Sequence, residues 1–330
     1  MGNIKEVLKK LNKSKEEADK YKVASKQEKD YFDWHFNTTT SDIFDNHIGG
    51  GVPSGLVINT GKNASGKTSL SLIVAGAITK KKKYVIYFDG EHSVKDSKKS
   101  FPAKDLGVDF DYFIHRKGSN LEVMLDDAEA FATSEDVGMI IIDSIKSFNP
   151  TAMEEKSADQ TGMGNQARKY GERINILLDL CERRNILLWG INQWRTDLGV
   201  MHGDNRTLPG GAWQEYYACM IIDLTKKDLI KNENKKVIGH KMHVRIKKSK
   251  VQAHDSKEVL ELNYFYGVGF DKIADAVEQL INDDVIQKKG AWFIFPEEFD
   301  QENIQGKEKV IELLRENNEL LEALKKWQKA

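Results

Sequence analysis

The stretch that decides the fold is GKNASGKTSL, residues 61–70. Gly61, Gly66, Lys67 and Thr68 occupy the fixed positions of the pattern G-x-x-x-x-G-K-[ST]. In this pattern the glycines let backbone N–H groups surround phosphates, the lysine reaches the outer phosphates, and the hydroxyl binds Mg²⁺. The stretch therefore predicts a phosphate-binding loop, and an ordinary turn rich in glycine and serine is the alternative.

The residues on either side of this loop favour the phosphate-binding interpretation. LVINT (56–60) is apolar and predicts a strand that runs into the loop, and SLSLIVAGAIT (69–79) predicts a helix that leaves it. A strand, a loop and a helix in this order are the setting that the pattern requires. We expect Ser65 in the loop and Ser69 at the start of the helix to contact the nucleotide as well.

The composition limits the class of protein. The chain has 330 residues, of which 40% are hydrophobic, enough for one large core or two domains. Charged residues make up 31%, yet the formal net charge is −1, so a surface for nucleic acid must be a local patch. Cys181 and Cys219 lack metal-site spacing and lie in or beside apolar segments, which indicates reduced thiols in a cytoplasmic protein. No apolar run approaches the roughly 18 residues of a membrane helix, and we expect no targeting segment.

Apolar strands alternate with helical segments between about residues 37 and 270. The predicted strands are LVINT, YVIYFDGE (84–91), VGMIIIDS (137–144), ILLWGINQ (186–193) and CMIIDL (219–224). Continuous apolar strands between helices predict an α/β fold with a buried, mainly parallel sheet. Such sheets bind ligands at the carboxyl ends of their strands.

Two smaller segments flank this predicted core. Residues 1–36 predict a charged helical arm, because their few apolar residues recur at helical spacing among lysines and glutamates. Residues 271–330 predict a small α+β domain, with helices around a short hairpin that contains GAWFIF (290–295). We expect the charged run at 307–328 to form a solvated helix face.

Polar residues close three of the predicted strands where nucleotide chemistry needs them. Asp143 is placed to fix Mg²⁺ through water, together with Thr68. Glu91 is a candidate for orienting the water that attacks the γ-phosphate of ATP, and Gln193 is a candidate sensor of that phosphate. The alternative is that each residue merely meets solvent at the end of a strand.

Further motifs follow the loop in a fixed order along most of the chain. They are GGGVPSGLV (49–57), FDGEH (88–92), IIIDS (140–144), INQWRTDLGVMHGD (191–204), PGGAWQEYYA (209–218), KKSKVQA (247–253), YGVGF (266–270) and KGAWF (289–293). From about Thr38 to the C-terminus the chain thus resembles the RecA-type recombinases of bacteria and phages. The resemblance implies a RecA-type P-loop ATPase core and an ATP-dependent helical filament. Such a filament coats single-stranded DNA, pairs it with a homologous duplex and exchanges strands.

The resemblance also implies roles for individual residues. Glu91 matches the catalytic glutamate of the family, and Gln193 matches the link between the γ-phosphate and a DNA-binding loop. Lys248 and Lys250 match paired lysines that reach the nucleotide of a neighbouring subunit. The residues that match a segment near the nucleotide base are Tyr266 and Gly267.

Two DNA-binding loops are implied in the same way. The first falls at about 153–165, and its matching residues are Met163 and Gly164, with Arg168 just behind. The second spans about 194–211, and its matching residues are Arg195, Leu198, Gly199, Val200, Met201, Gly210 and Gly211.

The composition of these regions supports DNA binding independently. Asp197–Trp213 is 17 residues long and rich in Gly and polar residues, which is long for a connector inside a compact domain. Its apolar members could wedge between bases, or pack beneath the loop as a small core. From Lys226 to Lys257 ten lysines and one arginine outweigh three acidic residues. Such a surface suits DNA phosphates, and a solvated basic face without a partner is the alternative.

The sequence departs from the family pattern in two places. The segment between His92 and Gly107 is about four residues longer than in bacterial members, so Asp96 and Phe101 are only candidate adenine contacts. The acidic tail common among bacterial members is missing, which would weaken any restraint on duplex binding. Two other functions stay open: a ring-forming helicase motor, and a regulatory paralogue that uses ATP as a switch to load another recombinase.

Overall fold

The computed structural model describes residues 34–92, 102–151, 162–196 and 206–327, together with residues 9, 10 and 13. For residues 162–167, 196 and 206 only the backbone is described. Most of the predicted N-terminal arm lies outside these residues. Asp96 and Phe101 also lie outside the described residues. So do the apolar members of the second loop, which are Leu198, Val200 and Met201.

The described residues form sixteen strands and eight α-helices. The strands are β1 (Phe36–Asn37), β2 (Val52–Pro53), β3 (Gly55–Gly61), β4 (Tyr84–Asp89), β5 (Phe113–Lys117), β6 (Val137–Asp143), β7 (Leu187–Ile191), β8 (Arg195–Thr196), β9 (Arg206–Thr207), β10 (Met220–Lys231), β11 (Val237–Ser249), β12 (Leu260–Phe265), β13 (Gly269–Phe270), β14 (Gln287–Lys289), β15 (Trp292–Ile294) and β16 (Ile304–Gln305). The helices are α1 (Asp42–His47), α2 (Lys67–Thr79), α3 (Leu121–Ala132), α4 (Gly162–Arg183), α5 (Trp213–Tyr217), α6 (Lys272–Asn282), α7 (Lys307–Glu316) and α8 (Asn318–Trp327).

A nine-stranded sheet forms the centre of the molecule, in the order β13-β12-β11-β10-β3-β7-β6-β4-β5. The six strands from β10 to β5 pair in parallel. The three strands from β11 to β13 extend the sheet in antiparallel pairs. The predicted α/β fold with a mainly parallel sheet is therefore confirmed. The edge strand β5 was not predicted.

Side chains of the inner strands alternate between two buried layers. On β3, Val57 lies in the layer that α2 covers, whereas Ile58 lies in the layer that α3 and α4 cover. On β6, Ile141 lies in the layer that α2 covers, and Ile140 lies in the opposite layer. Because both faces of the sheet are buried, these strands are continuous apolar runs in the sequence.

The carboxyl ends of the parallel strands meet at one edge of the sheet. Gly61 ends β3 at the phosphate-binding loop, and Asp143 at the end of β6 pairs with both Asp89 of β4 and Ile191 of β7. The segments that carry Glu91 and Gln193 leave from this same edge. The fold thus brings together the strand ends that the sequence analysis selected.

The C-terminal segment has its own hydrophobic cluster. Helices α6, α7 and α8 and the three-stranded sheet β14-β15-β16 enclose it. The charged run at 307–328 forms two helices rather than one, because the Asn317 side chain accepts a hydrogen bond from Leu320 N at 3.0 Å and begins a second helix. Its charged residues face solvent as predicted, whereas Leu314, Leu321 and Leu324 are buried. Across the described residues, none of the helices has the length and apolar content needed to cross a membrane.

Candidate active site

The phosphate-binding loop needs glycine at two positions. Gly61 has a φ of 146°, and a Cβ atom there would lie 2.3 Å from the carbonyl oxygen of Leu224. Gly66 has a φ of 96°, and its Cβ atom would lie 2.4 Å from Cε of Met242. The left-handed backbone disfavours larger residues at both positions, and at Gly61 the backbone of Leu224 also leaves no room for a side chain. The two glycines therefore allow the chain to turn from β3 into α2. The free backbone N–H groups at the start of a helix are the groups that bind phosphate.

Lys67 lies in this loop with its amino group held by backbone oxygens. Its Nζ atom donates to the carbonyl oxygens of Gly61, at 3.0 Å, and Lys62, at 2.8 Å. Burial lowers the pKa of Lys67, and the carboxylates of Asp143 and Glu91 oppose that shift. Ser65 Oγ nearby is buried and has no hydrogen-bond partner within the described part of the chain. A phosphate group bound in the loop would satisfy Ser65 and compete for the donors of Lys67, so these residues fit a nucleotide.

Asp143 and Thr68 form a pair of oxygen ligands suited to Mg²⁺. Thr68 Oγ1 donates to Asp143 Oδ2 at 2.8 Å, and Tyr87 Oη donates to the same oxygen at 2.6 Å. Burial raises the pKa of Asp143, and the nearby charges of Glu91 and Asp89 add to this effect, while the two hydrogen bonds lower the pKa. A cation beside Asp143 would offset this concentration of negative charge. Among the described residues, no three His, Cys, Asp or Glu side chains cluster as a metal site.

Glu91 lies two residues beyond the end of β4 and lines the same pocket as Lys67 and Asp143. Its Oε1 atom accepts a hydrogen bond from Ser144 Oγ at 2.6 Å. The Oγ atom of Ser144 is in turn 2.8 Å from Oγ of Ser147. The carboxylate is thereby held at the mouth of the phosphate-binding loop, where it can orient a water molecule.

Gln193 connects this pocket with the segment that follows β7. Its Nε2 atom donates to Asn63 Oδ1 in the phosphate-binding loop at 2.7 Å, and its Oε1 atom accepts from Lys146 Nζ at 2.9 Å. The next residue, Trp194, donates through Nε1 to Asp223 at 2.9 Å. Gln193 is therefore bonded to the pocket on one side and is one peptide from an anchored tryptophan on the other.

A short two-stranded ribbon begins directly after Trp194. Arg195 on β8 pairs with Thr207 on β9, so residues 197–205 form the connection between the two strands. Beyond the ribbon, Asn192 Nδ2 donates to the carbonyl oxygen of Pro209 and to Gln214 Oε1, both at 2.8 Å. The base of the predicted second loop is thus tied to the residue that precedes Gln193.

Comparison with known proteins agrees with this arrangement. The family model for the RecA N-terminal domain matches residues 3–271. The model for the RecA C-terminal domain matches residues 275–327. The chain belongs to the RecA family. Proteins named "Protein RecA" from Staphylococcus aureus strains JH9, Newman and N315 are each 29% identical to it over 289 residues, which cover 87% of this chain and 80% of theirs.

Membership of the RecA family identifies the chain as a RecA-type recombinase, a class of proteins that bind ATP and DNA in recombination and repair. The predicted resemblance is therefore confirmed. The roles of individual site residues stay predictions. Some of these residues line the phosphate-binding pocket, and others lie away from it.

Lys248 and Lys250 do not lie in the phosphate-binding pocket of their own chain. Lys248 pairs with Ile221 of β10. Ile221 lies three residues before Leu224, and Leu224 pairs with Gly61. At about 3.3 Å per residue, this separation is roughly 10 Å along the sheet. Burial and the neighbouring charge of Lys250 lower the pKa of Lys248, whose Nζ atom donates to the carbonyl oxygens of Glu215 and Tyr216.

The predicted base-contacting residues also lie outside the pocket lining. Tyr266 follows the end of β12, is 44% exposed and accepts a hydrogen bond from Lys226 Nζ at 3.0 Å. Gly267 has a φ of 72°. A Cβ atom at this position would lie 3.9 Å from Oδ2 of Asp105. Burial raises the pKa of Tyr264, two residues before Tyr266, and the Ser69 side chain in the first turn of α2 opposes this shift. Tyr264 therefore places this segment beside the start of α2.

The predicted DNA-contacting residues that the structure describes lie on α4, on β8, which carries Arg195, and on the segment after the ribbon. Met163 and Gly164 are in the first turn of α4, and Arg168 is exposed on the same helix and pairs with Glu172 at 2.6 Å. Gly210 and Gly211 have left-handed backbone after the ribbon. Gly199 and the apolar members of the second loop lie outside the described residues.

The sequence analysis missed four residues that contact the predicted site residues. Tyr87 and Ser144 donate to Asp143 and Glu91, and Asn63 and Lys146 hold Gln193. Ser144 and Lys146 lie in the three residues that follow β6, and that position was the available signal. It could not have shown that their side chains turn toward the pocket.

Proposed function

We propose that this RecA-family protein is a DNA-dependent ATPase that forms helical filaments on single-stranded DNA. In this filament it pairs the bound strand with a homologous duplex and exchanges strands. The observation that carries the proposal is the placement of Gln193, which bonds the phosphate-binding loop through Asn63 and lies two residues before the ribbon of Arg195. A change at the terminal phosphate can thereby reach the segment expected to contact DNA.

ATP hydrolysis is the first part of the proposal. Lys67 and the backbone of the loop bind the phosphates, and Glu91 orients the attacking water through the carboxylate that Ser144 holds. Thr68 and Asp143 would hold Mg²⁺, and the bound ion would neutralise part of the phosphate charge. Since Glu91 is among the residues that line the pocket, the attacking water and the phosphates would share one pocket.

Coupling to DNA is the second part. A switch requires contacts that differ between its two states. Gln193 now donates to Asn63 and accepts from Lys146, and both partners lie at the phosphate-binding site. Rearrangement of these two bonds on ATP binding would move the ribbon and its connection. Basic residues between Lys226 and Lys257 would add phosphate contacts with DNA.

A shared active site between protomers is the third part. Lys248 and Lys250 are too far along the sheet to reach the phosphates of their own chain directly, whereas lysines from a neighbour could stabilise charge on the transferred phosphoryl group. ATP would then hold protomers together, and hydrolysis would loosen the interface and release DNA. The two lysines would contact only DNA phosphates in the alternative arrangement.

Assembly is the fourth part. We propose three functional units: an oligomerisation arm at 1–36, an ATPase core at 37–270 and a C-terminal domain at 271–330. An arm that packs on a neighbour makes a heterologous contact, which gives open filaments when it does not close into a ring. Deletion of residues 1–36 should leave a folded monomer that binds ATP. Normal filaments of the truncated protein at the same concentration would contradict this role.

A reducing cytoplasmic location completes the proposal, and two buried free thiols, Cys181 and Cys219, support it. Burial raises the pKa of each thiol to about 12, so neither is a reactive thiolate.

Hydrolysis and assembly can be tested together on the purified full-length chain. ATP turnover should rise severalfold or more when single-stranded DNA is added, and electron microscopy should show helical filaments on that DNA. Lys67→Ala should show neither behaviour. Turnover that ignores DNA, or closed rings instead of filaments, would contradict the proposal and favour a motor of another type.

A further inference from the structure

A second lysine, Lys146, reaches the phosphate-binding pocket from its own chain. It lies in the short turn Ile145–Ser147 that follows β6. Its Nζ atom donates to Gln193 Oε1 at 2.9 Å and lies 3.9 Å from Glu91 Oε1. Gln193 and Glu91 both line the pocket, so the ammonium group of Lys146 contacts its wall.

The turn that carries Lys146 is firmly anchored. Ile145 is fully buried beneath the sheet, and Tyr170 Oη donates to its carbonyl oxygen at 3.1 Å. Ser144 and Ser147 are hydrogen-bonded on the other side of the turn. The lysine side chain itself is 28% exposed, so its head can shift while its backbone stays fixed.

The charges around the pocket give Lys146 a reason to interact with phosphate. Its positive charge is close enough to Lys67 to lower the pKa of that lysine. It therefore adds a second cation to a pocket whose carboxylates are Glu91 and Asp143. An ammonium group is attracted more strongly to an anionic phosphate oxygen than to a neutral amide oxygen, because both partners then carry full and opposite charges. A terminal phosphate would thus compete with Gln193 for Lys146.

We propose that Lys146 binds the terminal phosphate of ATP in cis and, in doing so, gives up its hydrogen bond to Gln193. This inference rests on the proposed function, because it assigns a further residue to the same nucleotide site. Lys67 would contact phosphates that ATP and ADP share, whereas Lys146 would recognise the phosphate that only ATP carries. Release of Gln193 would then report to the ribbon that ATP is bound.

The alternative role for Lys146 is purely structural: it would hold Gln193 and touch no nucleotide. The two roles differ in selectivity. A residue that contacts the terminal phosphate favours ATP over ADP, whereas a structural residue affects both nucleotides alike or neither. Binding measurements on the two nucleotides therefore separate them without any reference to turnover.

The test compares Lys146→Met, which keeps the stem and removes the charge, with Lys146→Arg, which keeps the charge. Lys83→Met is the matched control, because Lys83 precedes the amino end of β4 and donates to the carbonyl oxygen of Glu135, away from the pocket. Dissociation constants would be measured by calorimetry with Mg²⁺, for ADP and for a non-hydrolysable β,γ-imido analogue of ATP. Circular dichroism would check that each variant is folded.

Lys146→Met should weaken binding of the ATP analogue about 10- to 100-fold, the range expected for loss of a hydrogen bond to a charged group. Its affinity for ADP should stay at the wild-type value, and Lys146→Arg should keep most of the preference for the analogue. Equal losses for both nucleotides, or unchanged binding of the analogue, would overturn the inference. Failure of the wild-type protein to bind either nucleotide would instead overturn the proposed function.

Discussion

Asp275 joins the ATPase core to the C-terminal helices through a buried carboxyl group. It lies on α6, which packs against α1, and its side chain is 5% exposed. The Ser41 side chain, at the start of α1, is close enough to lower the pKa of this carboxyl group, whereas Oδ2 has no hydrogen-bond partner among the described residues. The charged groups around it are Asp271, Asp42 and Lys307. We predict that Asp275→Asn changes how the stability of the protein depends on pH.

The size and sign of this effect follow from the pKa of Asp275. Burial, aided by Asp271 and Asp42, raises this pKa from 3.8 to about 7. The folded state therefore binds a proton more tightly than the unfolded state does, and the resulting stability is fully present below pH 3.8. It is lost as the pH rises to about 7. Each pH unit well below the folded pKa corresponds to about 1.4 kcal/mol, and the slope falls to half near pH 7, so raising the pH from 5 to 7 should remove about 2 kcal/mol.

Urea unfolding at several pH values between 5 and 8 would measure this loss. Asparagine has the same shape and no charge, so Asp275→Asn should lack this share of the pH dependence. Its free energy of unfolding should gain about 2 kcal/mol relative to the wild type between pH 5 and 7. Asp284→Asn, at an exposed position that follows α6, is the matched control and should track the wild type. Parallel curves for Asp275→Asn and the wild type would refute the reasoning.

Three further predictions concern the nucleotide site and its link to DNA. Lys67→Ala should abolish ATP binding, whereas Glu91→Gln should bind ATP normally and lose about 10²- to 10⁴-fold in turnover, because Glu91 acts only when water attacks. Equal losses of affinity in calorimetry would be inconsistent with that role. Gln193→Ala should bind ATP but lose the ATP-dependent gain in affinity for single-stranded DNA, measured by fluorescence anisotropy. An undiminished gain would rule out the coupling. A Lys248→Ala, Lys250→Ala protein and a Glu91→Gln protein should each be nearly inactive as ATPases and regain part of the activity when co-assembled on DNA. No recovery in filaments shown to be mixed would argue against a shared site.

The inner strands could be predicted from the sequence because both faces of the sheet are buried. This burial makes β3, β4, β6 and β7 continuous apolar runs, and their predicted positions agree closely with the structure. The edge strand β5 has a neighbour on one side only and includes the charged residues Arg116 and Lys117, so its sequence lacks that pattern. Strand β10 runs to Lys231 rather than stopping near residue 224, because its exposed outer half is stabilised by pairing with β11 and not by burial.

The candidate site could be predicted where residue type and spacing together define the chemistry. Gly61, Lys67 and Thr68 belong to one short pattern, and Asp143 ends an apolar strand, so the sequence alone selected them. Lys146 could not be selected in this way, because its direction depends on the turn that Ile145 anchors. Side-chain partners from distant segments, such as Tyr87 for Asp143, likewise become visible only when the strands are side by side.

Strand exchange by the purified full-length protein tests the central claim most directly. The assay would combine single-stranded DNA with a homologous duplex carrying a label on the strand to be displaced, in the presence of ATP and Mg²⁺. We predict release of the labelled strand with wild-type protein, and none with Lys67→Ala or with a duplex of unrelated sequence. If the protein hydrolyses ATP and binds single-stranded DNA yet never displaces the strand, it is not a strand-exchange recombinase, and the account is contradicted.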